Sequence, residues 1–224
     1  MASKTREEIL RELSEAVTSY DQEAAKAAAQ KAIDAGIPAL EAVDLGLRPG
    51  INEVGEKFSR DEVYLPHLLM AADALKAGVE VLQRRIPKED LEKLRLGRVV
   101  IGTVQDDIHD LGKNIVGAML TASGFEVIDL GKDVSPEEFV NKAKESGADV
   151  IAVSSLMTTT MPYQRNVIEE LDYQGVRDKF KVIVGGGPVT AEWAEKIGAD
   201  DYSENASGAV EAVKRLVAKR RGGS

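Results

Sequence analysis

The chain has 224 residues, 43% hydrophobic and 30% charged, with a formal net charge of -9, two histidines and no cysteine. This suits one large or two small globular domains, and an acidic surface repels phosphate backbones, which argues against nucleic acid as a partner. Disulfides, thiolate metal sites, cysteine nucleophiles and iron–sulfur clusters are excluded, and with neither an apolar signal core nor an apolar run of ~18 residues a cytoplasmic protein without a membrane span is expected.

The first half reads as helices. Thr5 and Glu8 form a capping-box pattern ahead of Ile9, Leu10, Leu13 and Val17 at helical spacing. Asp21 caps a second helix through an alanine-rich run to Ala35, and Gly36 ends it. Pro38 sits where a third helix starts, and Pro49-Gly50 predicts a break before Ile51, Val54 and Phe58. Tyr64-Leu65-Pro66 opens a long helix to about Arg85, stopped by Pro87. Alanine-rich faces allow close approach, so residues 1–87 are expected to form a helical bundle. The charged stretch 88–96 reads as a linker and hinge.

Residues 97–224 change period. Short β-branched runs appear at Val99–Ile101, Val127-Ile128, Val150–Val153 and Val182–Val184, with a weaker fifth near Asp201-Tyr202. Helical stretches alternate with them, at about 112–123, 135–146, 161–173, 191–197 and 206–219. Apolar strands alternating with helices predict an α/β domain, a Rossmann-like (flavodoxin-like) five-stranded parallel sheet covered on both faces. The basic residues Lys214, Arg215, Lys219, Arg220 and Arg221 read as cations near a helix C-terminus.

Ligands of such sheets bind beyond the carboxyl ends of the strands. Three loops belong there: Gln105–Gly112, Ser154–Thr160 and Gly185–Pro188. His109 lies in the first, two residues from Asp107. A loop histidine beside a carboxylate can be a general base, an oriented metal ligand, or a surface residue with no task. Asp106, Asp107 and Asp110 crowd the loop, and Gly112 removes a side chain where the next helix opens. One histidine does not hold a free divalent ion tightly, but it can be the sole protein ligand of a metal already chelated by a macrocycle. The tri-glycine Gly185–Gly187 can equally be a tight turn, with Pro188 at a helix start.

Asp107-x-His109-x-x-Gly112, then a gap of 41 residues (113–153) to Ser154-x-Leu156, then 28 (157–184) to Gly185-Gly186, resembles the signature of cobalamin-binding proteins that displace the cofactor's own benzimidazole. Gly50–Phe58 and Tyr64-Leu65-Pro66 are similar to the helical cap of methionine synthase and of the corrinoid proteins of methylamine, methanol and methoxyl-group methyltransferase systems. Gln105-Asp106 departs from an expected Lys-Gly pair, and His67 stands where an acidic residue is common.

The resemblance implies cobalamin as cofactor, methylcobalamin when loaded, with His109 as the lower ligand to cobalt and Asp107 accepting its other ring N–H. Ser154 would extend that relay or touch the displaced nucleotide tail. Gly112, Leu156 and Thr158 would line the slot for the tail, and Gly185 and Gly186 would let backbone approach it. Phe58, Leu65, Leu69 and Met70 are candidates to cover the upper corrin face, with bundle packing as the alternative; His67 reads as a surface residue. The implied function is a methyl shuttle between a donor-specific methyltransferase and a second methyltransferase using tetrahydrofolate or a thiol, with a reductive activator of Co(II) as a further partner. No catalytic residue is assigned. The alternatives are a cobalamin-dependent sensor module, which lacks an output domain here, and a phosphoacceptor or flavin-type domain, which leaves the helical cap unexplained.

Overall fold

A computed structural model describes residues 5–86 and 95–222. The chain divides into two compact units: Met1–Arg95 with Thr121–Gly124, and Leu96–Leu120 with Phe125–Ser224. Of the expected linker over 88–96, only Arg95 and Leu96 fall within the described residues. Among these residues no helix is long and apolar enough to cross a membrane.

The first unit is helical: α1 (Arg6–Thr18), α2 (Gln22–Asp34), α3 (Ala39–Glu41), α4 (Arg48–Ser59) and α5 (Leu65–Leu82). The Thr5–Glu8 capping box forms, and the Asp21 side chain accepts from the Ala24 N–H. α1 buries Ile9, Leu13, Ala16 and Val17 and packs on α2, which buries Ala25, Ala28, Ala29 and Ala32, with Ala16 and Ala25 in one cluster. Small side chains bring the backbones together: a Cβ on Gly50 would stand 2.5 Å from the Ser14 carbonyl oxygen of α1. The expected break at Pro49-Gly50 is absent. A wide π turn over Ala42–Leu47 runs directly into α4, and Pro49 falls in its first turn, where a missing N–H is tolerated. His67 is more than a surface residue. Its Nδ1 accepts the Tyr64 N–H at 3.1 Å, satisfying a free donor at the start of α5. Leu69 and Met70 are exposed on this unit, while Phe58 and Leu65 are half-buried.

The second unit is the expected five-stranded parallel sheet, in the order β2-β1-β3-β4-β5. Its strands are β1 (Arg98–Thr103), β2 (Glu126–Asp129), β3 (Val150–Ser154), β4 (Lys181–Gly185) and β5 (Asp201–Ser203). Val99–Ile101, Val150–Val153 and Val182–Val184 are buried on both faces, as continuous apolar runs in a parallel sheet demand. The covering helices are α6 (Leu111–Ala122), α7 (Pro136–Ser146), α8 (Pro162–Tyr173), α9 (Ala191–Ile197) and α10 (Ala206–Gly222). β1 pairs with both β2 and β3, with Thr103 beside Ser154, and Ser154 beside Gly185 of β4. The connection therefore reverses direction between β1 and β3, where open sheets of this order place their ligands.

Candidate functional site

Asp107 is fully buried just beyond β1. Its Oδ1 accepts the His109 N–H at 3.0 Å and lies 2.8 Å from His109 Nδ1. Its Oδ2 accepts the Leu156 N–H at 2.8 Å and the Thr160 hydroxyl at 2.8 Å. Burial pushes the carboxyl pKa up. The backbone N–H groups of His109 and Leu156, then Thr160 and the His109 ring, outweigh that effect and hold it down to about 2. Asp107 is thus an ionised acceptor at neutral pH. An acceptor at Nδ1 places the ring proton there and leaves the lone pair on Nε2. The His109 side chain is 45% exposed, so the ring is anchored on one side and accessible on the other.

His109 stands on the wall of a cleft of about 700 Å³ within this unit. Gly112, Ser154, Leu156, Gly185 and Gly186 all line it, so the structure gathers three separate sequence motifs around one hollow. Ile108 (65% exposed), Leu111 (73%) and Leu156 (48%) form an apolar rim. Exposed apolar surface of this kind marks a ligand or partner site.

The two glycine motifs differ in origin. A Cβ on Gly112 would meet nothing within 4 Å, so this position opens onto free space. Gly186 has φ 125°, and a Cβ there would collide with the Ser155 carbonyl oxygen. The polypeptide itself requires glycine at 186.

Thr158 does not join the cleft. The N–H groups of Thr160 and Met161 both donate to the Met157 carbonyl, and this turn leaves Thr158 exposed. Thr160, two residues on, is the buried hydroxyl that reaches Asp107. Ser154 lines the cleft, but the donors to Asp107 are His109, Leu156 and Thr160. Ser155 supports Thr160, with the two hydroxyl oxygens 2.8 Å apart and buried.

Two further groups shape the walls. Lys113, buried in the first turn of α6, donates to Asp129 Oδ1 at 2.6 Å and to Asn114 Oδ1 at 2.7 Å, tying that turn to the end of β2. Gln164 Nε2 donates to the carbonyls of Val153 (2.9 Å) and Gly185 (3.0 Å), while its Oε1 accepts from Trp193 Nε1 at 2.9 Å. Lys113 directly follows the motif glycine Gly112 and is detectable as a cation next to it. No sequence signal singles out Gln164 on a helix face.

Among the described residues no group of three or more histidine, cysteine, aspartate or glutamate side chains can hold a metal ion. One oriented imidazole, an apolar cleft and an open glycine suit a metal that arrives inside its own macrocycle.

The comparisons agree. The B12 binding domain family matches residues 97–213, and a second family of the same description matches residues 9–83. The chain is 51% identical to dimethylamine corrinoid protein 1 of Methanosarcina mazei, over 95% of this chain and 98% of that relative. It is 46% identical to trimethylamine corrinoid protein 2 of Methanosarcina acetivorans, over 97% and 99%. Among solved structures, the methanol:cobalamin methyltransferase complex MtaBC from Methanosarcina barkeri superposes with a TM-score of 0.81 at 29% identity, covering 96% of this chain and 81% of that one.

Proposed function

Because the chain belongs to the corrinoid proteins of the B12-binding family and takes cobalamin as its cofactor, we propose that it carries a methyl group between two methyltransferases, one specific for the donor and one serving tetrahydrofolate or a thiol acceptor. The relatives named for dimethylamine and trimethylamine support a methylamine as the methyl source, and they favour a carrier over a cobalamin-dependent sensor. A reductive activator is a third partner on this reading.

The observation that carries the proposal is the buried, ionised Asp107 anchoring His109 through Nδ1. Asp107 fixes the tautomer, so that Nε2 is the nitrogen offered to the metal. Thr160 and the Leu156 N–H hold the second carboxylate oxygen, so Asp107 cannot turn away from the ring without losing both. When bound, the cofactor supplies a cobalt centre that accepts and releases a methyl group. Gly112, Ser154, Leu156, Gly185 and Gly186 are the residues proposed to receive its tail in the cleft. The exposed apolar rim of Ile108, Leu111 and Leu156 would be covered by the bound cofactor and would then keep water from His109.

The test begins with reconstitution. Protein mixed with hydroxocobalamin should retain about one corrinoid per chain, and His109→Ala should change the absorption spectrum of the bound cofactor. A spectrum indifferent to that substitution defeats the ligand assignment. Donor-specific methyltransferases, assayed one by one with the reduced holoprotein, should identify a methylamine-specific partner.

A further inference from the structure

The loop that carries His109 opens in a left-handed turn. Asp106 has φ 62°, a region where a Cβ is crowded and which Asp tolerates better than most residues but less well than glycine. Two tethers hold it there. Its N–H donates to Asp133 Oδ1 at 2.8 Å, and its Oδ2 accepts the Tyr163 hydroxyl at 2.6 Å. Asp133, itself left-handed at φ 57°, donates its N–H to the Asp107 carbonyl at 3.1 Å. Tyr163 lies in the first turn of α8, just after Thr160. The start of α8 therefore grips two consecutive aspartates of the histidine loop, Asp107 through Thr160 and Asp106 through Tyr163.

We propose that Tyr163 is a positioning residue which, through Asp106, holds the histidine loop in its ligand-ready conformation before the corrinoid arrives. This rests on the reading of His109 as the lower ligand. A hydroxyl donating to a carboxylate is among the shorter and stronger hydrogen bonds. The Asp106 carboxylate also pushes the Tyr163 hydroxyl above its usual range, so it remains a donor across neutral pH. Without the tether the left-handed turn at Asp106 is opposed by its own sterics. Its relaxation rotates the peptide planes that lead into Asp107 and His109. A loop ordered in advance lowers the ordering cost of capture. The tether should therefore act on the rate of cofactor uptake and on loop protection, and not on the final coordination.

The test uses the full-length, cofactor-free protein and three variants. Tyr163→Phe removes the donor. Asp106→Gly accepts the left-handed backbone freely but removes the acceptor. Asp106→Asn keeps both an acceptor oxygen and tolerance of that backbone. Hydrogen exchange of the segment 104–112, read by mass spectrometry, should rise roughly three- to tenfold in Y163F and D106G, because the lost bond is charge-assisted but partly solvated. D106N, which keeps a weaker neutral bond from Tyr163, should fall between the wild type and Y163F. Uptake of hydroxocobalamin, followed by stopped-flow absorbance, should slow by a similar factor in Y163F and D106G, with an unchanged final spectrum. Wild-type exchange and uptake in Y163F would overturn the proposal, whatever D106G shows, since the turn would then hold without the tether. If the wild-type protein takes up no hydroxocobalamin, the ligand reading fails, and the exchange measurement still decides the tether.

Discussion

Thr160 Oγ1 donates to Asp107 Oδ2 across 2.8 Å, joining the turn after β3 to the loop after β1. Both residues are buried, so water does not replace the bond when it is cut. Thr160→Val keeps the shape and removes the donor, leaving the carboxylate with the Leu156 N–H alone on that oxygen. The expected loss is about 1–3 kcal/mol, read as a lower urea midpoint with an unchanged slope. Thr160→Ser should recover most of it; a valine variant as stable as wild type would show that the bond contributes nothing.

Asp107 also makes stability depend on acid. Its carboxyl titrates near 2 in the folded chain, against 3.8 for the ordinary group. A depressed folded value means that the unfolded chain binds the proton more readily, so stability is present above pH 4 and lost as pH falls from about 4 toward 2. The contribution is about 2 kcal/mol. Denaturant titrations of wild type and Asp107→Asn should lie furthest apart at neutral pH and converge in acid. Parallel curves across that window would contradict the assignment.

Lys113 and Asp129 should respond unequally to truncation. The lysine side chain is 1% exposed and the aspartate 45%. Asp129→Ala leaves a buried ammonium without its counter-charge, with Asn114 Oδ1 still accepting from it, at a cost of about 3 kcal/mol. Lys113→Met leaves a carboxylate that water can reach and puts an apolar stem in the lysine's place, so it should change stability by less than about 1 kcal/mol. Thermal or urea unfolding of the two variants measures the asymmetry; equal losses would refute it.

The glycines of the cleft should separate stability from binding. Gly186→Ala combines a left-handed backbone with a collision against the Ser155 carbonyl, and should destabilise by about 3 kcal/mol or prevent folding. Gly112→Ala meets no atom, so the apoprotein should melt at or slightly above the wild-type temperature. Its methyl group projects into free space beside the cleft, and hydroxocobalamin retention should fall. Undiminished retention in G112A would remove this glycine from the site.

Much of the architecture was legible in the residues. The β-branched runs from Val99, Val150 and Val182 became adjacent strands because such segments are stable only when covered on both faces, and the motif spacing carried His109, Ser154 and Gly185 to one edge. Three things were hidden. The run Thr158-Thr159-Thr160 offers chemically identical hydroxyls, and only the turn on the Met157 carbonyl decides which is buried. Pro49-Gly50 reads as a stop because the wide turn that absorbs the proline has no sequence mark of its own. His67 gives no local sign that its ring will accept an amide from Tyr64, since that depends on how α5 begins.

Gln164 spans the tips of β3 and β4 with one amide nitrogen, and Trp193 fixes which way that amide faces. The spacing of Val153 and Gly185, which line the cleft, is therefore tied by two hydrogen bonds to a single atom. The two strand ends cannot spread to admit a bulkier guest unless one of these two bonds breaks. If the cleft receives the tail as proposed, discrimination among corrinoids with different tails would fall to the side chains beside that gauge, Leu156, Ser203 and Asn205. Exchanging those residues should retune which tail is admitted while the sheet beneath stays the same.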